Sequence, residues 1–241
     1  VGSDGISLEY VNDEDPVTTG IEFPSNDRNA DLILDVAINS SETGNPNAGV
    51  SLAQEGTFRI NQNLDLNSGT FDISGQTLQH NGGGSVDYDH EAELADTGDE
   101  GLFQFIGDDT DATVAGNTDD ESGTTFPFPA TEVAKDDSST VTFNVTDNND
   151  SPMEDPNDGY AFNGDFTIAA AQNFDGAGDD ESDGGTDITQ PDGVVFDGGS
   201  NGTDFVSVDG NFAQNAGSFL TEASPLASFE VTGNLTKAAS D

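Results

Sequence analysis

The chain has 241 residues, and its 4 Lys and Arg face 48 Asp and Glu, a formal net charge of −44 at neutral pH. That balance excludes a nucleic-acid-binding surface, which needs clustered cations to neutralise phosphates. The absence of cysteine excludes disulfides, thiolate metal sites and cysteine nucleophiles, and no apolar run nears the ~20 residues that a membrane-spanning helix requires.

At ordinary ionic strength the screening length is ~8–10 Å, and like charge at this density strains a compact state. At molar salt that length falls to ~3 Å and the repulsion largely disappears. The composition therefore predicts a protein adapted to high salt. A disordered acidic tail carries the same charge signature, but 16 Phe spread along the chain predict a folded core. A chain of this length can bury that core without disulfides. The start at Val1 reads as a processed N-terminus of an exported chain. The triplets N-x-[ST] at Asn39, Asn144, Asn149, Asn201 and Asn234 are candidate glycosylation sites of an extracellular, cell-surface glycoprotein. Pro152, directly after its triplet, makes Asn149 the poorest of them.

Helical periodicity is nearly absent. What recurs is short apolar–polar alternation bounded by Gly, Asn and Asp, at Ile6–Val11, Leu32–Ile38, Thr57–Ile60, Val141–Val145, Phe205–Val208 and Phe229–Val231. Together with 29 Gly, these segments predict an all-β chain. Residues 1–50 depart from the later pattern and are expected to form a capping or docking segment before a body at 51–241. Within that segment Ile6, Leu8 and Tyr10 share one face of an alternating strand. They are expected to make a subunit contact by adding to a neighbouring copy, with pairing inside the same chain as the alternative. Three acidic stretches, Asp108–Gly123, Asp147–Gly159 and Asp175–Gly193, are expected to leave the body as surface loops.

Those loops hold the candidate metal ligands: Asp147, Asp150 and Asp155 in one, Asp179, Asp180 and Asp183 in another. Closely spaced carboxylates in Gly-rich turns suit a hard cation, Ca²⁺ or Mg²⁺. Neither loop has the EF-hand pattern, and a solvated acidic surface is the competing reading. His80 and His90 flank a Gly-rich turn and form a second candidate metal pair with Asp87 or Asp89, against an ordinary place at a surface or strand edge. Arg28, Arg59, Lys135 and Lys237 are scattered, whereas an enzyme cleaving acidic polysaccharide needs cations gathered beside its base. Carboxylates are too common here to single out a glycosidase pair. The chain is therefore expected not to be an enzyme, and Arg28 and Arg59 are each expected to sit among several carboxylates.

Internal repetition refines the fold. Val206–Gly217 (VSVDGNFAQNAG) and Phe229–Ser240 (FEVTGNLTKAAS) align at an offset of 23 residues, placing Gly210 on Gly233 and Phe212 on Leu235. Gly164 lies two such periods before Gly210, and Asn61–Phe71 aligns with Asp209–Phe219, Asn63 falling on Asn211. A period in the low twenties is the size of one coil in a parallel β-solenoid.

The strings Leu64–Leu78 (LDLNSGTFDISGQTL), Gly101–Thr118 and Phe205–Thr236 resemble the degenerate repeats of large secreted β-helical adhesins and surface proteins, of haloarchaeal type when the acidity is added. The resemblance implies a right-handed parallel β-helix and a role in adhesion, surface layers or filaments, and it brings no catalytic motif. The function expected is a non-catalytic structural subunit of an extracellular filament or surface layer, polymerising with itself. The alternatives are an adhesin or virion spike that binds surface glycans, a polysaccharide-acting enzyme and, for the fold, a pilin-like β-sandwich of the donor-strand type.

Overall fold

The computed structural model describes residues 5–11, 16–20, 23, 33–40, 49–52, 55–98, 100–107, 110–118, 124–135, 139–146, 159–169, 193–197, 205–215, 218–222 and 228–237. Among these residues there are 22 strands and no helix, so none could cross a membrane as a helix. All strand pairings among them are parallel. That is not the antiparallel arrangement of a pilin-like β-sandwich.

The chain visits three faces in a fixed order. Strand β1 (Ile6–Val11) lies on the first face and β2 (Val17–Thr18) on the second. Next, β3 (Ile33–Asn39), β4 (Gly49–Ser51) and β5 (Thr57–Ile60) take the first, second and third faces. The long β6 (Leu64–Asp72) bends from the first face to the second, and β7 (Thr77–Asn81) follows on the third. The same order continues through β8 (Ser85–Asp89), β9 (Ala92–Ala95) and β10 (Leu102–Gly107), then β11 (Ala112–Asn117), β12 (Thr125–Phe128) and β13 (Ala130–Lys135). It repeats in β14 (Thr140–Thr146), β15 (Gly159–Phe162) and β16 (Phe166–Ile168), and in β17 (Gly193–Asp197), β18 (Phe205–Val208) and β19 (Phe212–Gln214). Last come β20 (Ser218–Glu222), β21 (Ser228–Val231) and β22 (Leu235–Lys237). The first face thus reads β1-β3-β6-β8-β11-β14-β17-β20 and the third β5-β7-β10-β13-β16-β19-β22, whereas the second is hydrogen-bonded in two pieces, β2-β4-β6-β9 and β12-β15-β18-β21. Parallel strands need a crossover; here each crossover is the passage across the other two faces.

The bend in β6 turns on Gly69, whose φ of +76° is left-handed backbone. A side chain there would also sit 2.5 Å from Ser40 Cβ.

Alternation then sets which side chains enter the core, and stacking turns them into columns. Leu8, Val36, Leu64, Val86, Val114 and Phe143 are successive neighbours on the first face. Phe58, Leu78, Phe103, Thr131, Phe166, Phe212 and Leu235 do the same on the third. The columns meet around Phe143, whose ring lies 5.2 Å from Tyr160, 5.7 Å from Phe162 and 5.8 Å from Phe105, edge to face. Two buried tyrosine hydroxyls tie faces together. Tyr88 accepts the Leu94 N–H at 2.6 Å and donates to the Pro127 carbonyl at 2.8 Å. Tyr160 accepts the Gly116 N–H at 3.0 Å and donates to the Asn144 carbonyl at 2.7 Å. Burial raises the pKa of both phenols, so they stay neutral donors.

At the corners, carboxamide and carboxylate side chains bond from one strand layer to the next. Asp35 Oδ1 accepts the Asn63 N–H at 3.3 Å and Nδ2–H at 3.0 Å, and Asn63 Oδ1 accepts the Ser85 N–H at 3.1 Å. Asp165 Oδ1 accepts the Asn211 N–H at 2.8 Å and Nδ2–H at 3.0 Å, and Asn211 Oδ1 accepts both Asn234 groups at 3.0 Å.

Several sequence expectations are corrected by this arrangement. The 46 residues between Asp165 and Asn211 span one step of the ladder, not two, because Phe166 and Phe212 are direct neighbours. Asn63 and Asn211 do the same work at different corners, one leading into the first face and the other into the third. The stretch Asp108–Gly123 is not a loop throughout: it contains β11, with Ala112 and Val114 fully buried. Strands β1 to β4, from the segment expected to cap or dock, pair onward into the same sheets, Val36 with Leu64 and Val50 with Phe71, as a capping segment can.

Candidate functional site

The six aspartates proposed as metal ligands, Asp147, Asp150, Asp155, Asp179, Asp180 and Asp183, lie outside the described residues. Among the described residues no group of three or more His, Cys, Asp or Glu could hold a metal ion. The histidines do not form a pair. His80 points into the core between Ile60 and Phe105, fully buried, and its ring nitrogens have no hydrogen-bond partner. Burial lowers its pKa to about 4; the nearby Gln62 and Ser85 backbone favours the charged ring, and the Lys135 charge opposes it. His90 sits in a turn with Nδ1 3.0 Å from Asp89 Oδ1.

The rare cations behave differently from expectation. Arg59 donates to Gln79 Oε1 from Nε and Nη2 at 3.2 and 3.1 Å, so its partner is an amide and not a carboxylate cluster. Gln79 in turn donates to Gln104 Oε1 at 2.9 Å and Gln104 to Glu132 Oε2 at 3.2 Å, a row of side chains across the outside of the third face. Lys135 is buried, and its Nζ donates to the carbonyls of Gly82 at 2.8 Å and Ile106 at 3.3 Å. Sequence reading passed over Lys135, although the alternation of β13 places it inward with Thr131 and Val133. Arg28 lies outside the described residues.

Carboxylates also stack on the outer surface. Asp65 and Asp87 are paired neighbours on the first face. The Asp65 carboxyl is raised above its ordinary range by partial burial and by the charges of Asp87 and Asp35. At the corner of the second and third faces the opposite holds for Asp72. Burial alone would raise it, but hydrogen bonds from the Thr97 hydroxyl at 2.6 Å, the Thr97 N–H at 3.0 Å and the Ser74 N–H at 2.8 Å hold it below that range. Close by, a groove of about 560 Å³ is lined by Glu93, Asp96, Thr97, Asn163 and Asp165 among others. Asp96 faces three backbone donors, Gly75 at 2.6 Å, Gly98 at 3.1 Å and Gly101 at 2.6 Å, so it is committed to holding the corner.

Three sequons can be placed. Asn39 ends β3, its Nδ2–H donating to Glu9 Oε1 at 2.7 Å and its Oδ1 accepting from Asn67 at 2.8 Å. Asn144 lies within β14, paired on both sides. Asn234 is exposed beside the last strand. Asn149 and Asn201 lie outside the described residues.

Ile6, Leu8 and Tyr10, expected to make a subunit contact, belong to β1, which pairs with β3 of its own chain, Leu8 opposite Val36 and Tyr10 opposite Ile38. Strands β1 and β20 are the two edges of the first face. Near one edge Ile6 is 42 % exposed and Val11 63 %; at the other end of the ladder Leu235 is 63 % exposed. These are the large hydrophobic side chains that the described structure leaves open. Compared with protein-family models, with curated proteins and with solved structures, the chain matches none.

Proposed function

We propose that the chain is a right-handed parallel β-solenoid and serves as a non-catalytic structural subunit of an extracellular filament or surface layer built in high salt. The observation that carries this reading is the pair of parallel edges, β1 and β20, to which no further strand is added among the described residues. A strand edge presents unpaired N–H and C=O groups and is a template for further pairing unless it is covered or charged. Here apolar Ile6, Val11 and Leu235 accompany the edges. The three-face order supports the solenoid, since each pass from β3 onward places strand on all three faces. The charge of −44 supports the salt adaptation, and the resemblance to β-helical surface proteins supports the extracellular setting.

A glycan-binding adhesin or spike module is the second reading, favoured by the polar groove at Thr97 and Asn163. Electron microscopy and sedimentation of the purified chain in molar salt separate the two. The structural subunit gives long polymers or sheets; the binding module gives discrete monomers or trimers.

A further inference from the structure

We propose that successive copies join head to tail, the β1–β2 end of one copy stacking on the β20–β21 end of the next so that the parallel sheets of the first two faces run on between subunits. This rests on the structural-subunit reading above and names its contact. Among the described residues the first face ends at β1 and β20 and the second at β2 and β21, while the third begins one layer deeper at β5, where Phe23 packs on Phe58; all strands of a face point the same way. A simple translation therefore sets β1 on β20 and β2 on β21 as parallel pairs, the pairing already used along the whole ladder. A two-fold, head-to-head contact would force antiparallel pairing, which the described residues do not use.

Side chains agree with the direction. Leu8, Tyr10 and Val17 form the last inward layer at one end; Phe229 and Val231, half-buried, and Leu235 form it at the other. Stacking would continue the inward packing from Val231 and Leu235 of one copy to Leu8 and Val17 of the next. Charge agrees too. Lys237 lies exposed on β22, whereas Lys135 is buried and Arg59 half-buried. The first 20 residues hold Asp4, Glu9, Asp13, Glu14 and Asp15 and no Lys or Arg. Tail-to-head contact brings Lys237, together with Glu222 of β20 and Glu230 of β21, toward Glu9 of β1, and so supplies a cation that β1 and β2 themselves lack. Such a heterologous contact does not close on itself, and so it propagates.

Inward parity places Val17 over Phe229, which sets exposed Thr18 of one copy over exposed Glu230 of the next. The chain has no cysteine, so an introduced pair reports without background. Thr18→Cys and Glu230→Cys, made in separate full-length chains, are mixed in molar salt under mild oxidation. The expected result is a disulfide-linked dimer from the mixture, none from either variant alone, and a ladder of multimers from the double variant. Lys237→Glu in the double variant is expected to shorten that ladder. Dimers from Thr18→Cys alone would show head-to-head contact and overturn the inference. Polymers visible by microscopy without the mixed crosslink would overturn it while leaving the structural-subunit reading in place. Monomers without crosslink under these conditions would remove both.

Discussion

Phe212 and Leu235 are direct neighbours in parallel strands, and beside them the Gly233 N–H donates to the Gly210 carbonyl at 2.7 Å. Two glycines stack there because backbone lies on backbone. A Cβ on Gly210 would come within 2.6 Å of the Gly164 carbonyl carbon, and one on Gly233 would collide with the Gly210 carbonyl. Gly210→Ala is expected to destabilise the fold by ~1–3 kcal/mol, as forced overpacking does. Gly233→Ala should cost less, because its layer is the last and can shift. Denaturant unfolding in molar salt checks both; equal effects would contradict the ladder's direction.

The aromatic cluster makes a second prediction. Phe143 is fully buried and meets the rings of Phe105, Phe128, Tyr160, Phe162 and Phe166. Phe143→Ala should cost ~3–5 kcal/mol, the range for a truncated core aromatic. Leu235→Ala, at an exposed site, should cost under ~1 kcal/mol in the monomer. Thermal unfolding of the two variants ranks them.

His80 gives the chain an acid-sensitive element. Unfolded, its ring titrates near 6.5; folded, burial holds it to about 4. As pH falls below 6.5 the unfolded ring takes a proton that the folded ring refuses. Stability present above pH 6.5 is then lost down to about pH 4, by ~3 kcal/mol in all. His80→Leu removes two unpartnered nitrogens and should stabilise the neutral protein by ~1–2 kcal/mol. It should also flatten the pH profile between 5 and 6.5. A variant with the native slope would show that other groups govern it.

Asp65 is the opposite case. Its folded pKa is raised by partial burial, then by Asp87 and Asp35, so the folded state holds its proton longer and loses stability as pH rises through the carboxylate range. Asp65→Asn should raise the melting temperature at neutral pH. The gain should be larger near 0.1 M salt, where screening reaches ~10 Å, than at molar salt. A salt-independent gain would point to packing and not to charge.

Much of the strand layout was legible because alternation is local: Ile6–Val11, Thr57–Ile60 and Phe205–Val208 stand where the pattern placed them. The 23-residue offset was legible too, since no insertion interrupts the last layers. The step from Phe166 to Phe212 takes 46 residues and the next, from Phe212 to Leu235, takes 23, so spacing along the chain does not by itself count layers. Asn63 and Asn211 were aligned for a sound local reason, an amide bonding the next layer, yet that device serves any corner. Lys135 was missed because its charge hid its inward parity. The aspartates expected to bind a cation, Asp147, Asp150, Asp155, Asp179, Asp180 and Asp183, lie outside the described residues, and no group of three or more metal-ligating side chains comes together among the described ones.

The central claim is that copies stack into one continuous parallel ladder. Helical reconstruction by electron cryomicroscopy, on polymers grown in molar salt, tests it directly. The first face carries eight strands, which at a spacing of ~4.8 Å give a rise of ~38 Å per subunit with the ladder of that face unbroken across each junction. That rise, with β1 seated on β20 of the neighbour, is the expected result. A discrete particle, or a polymer whose subunits meet along their faces with a rise unrelated to ~38 Å, would contradict the account.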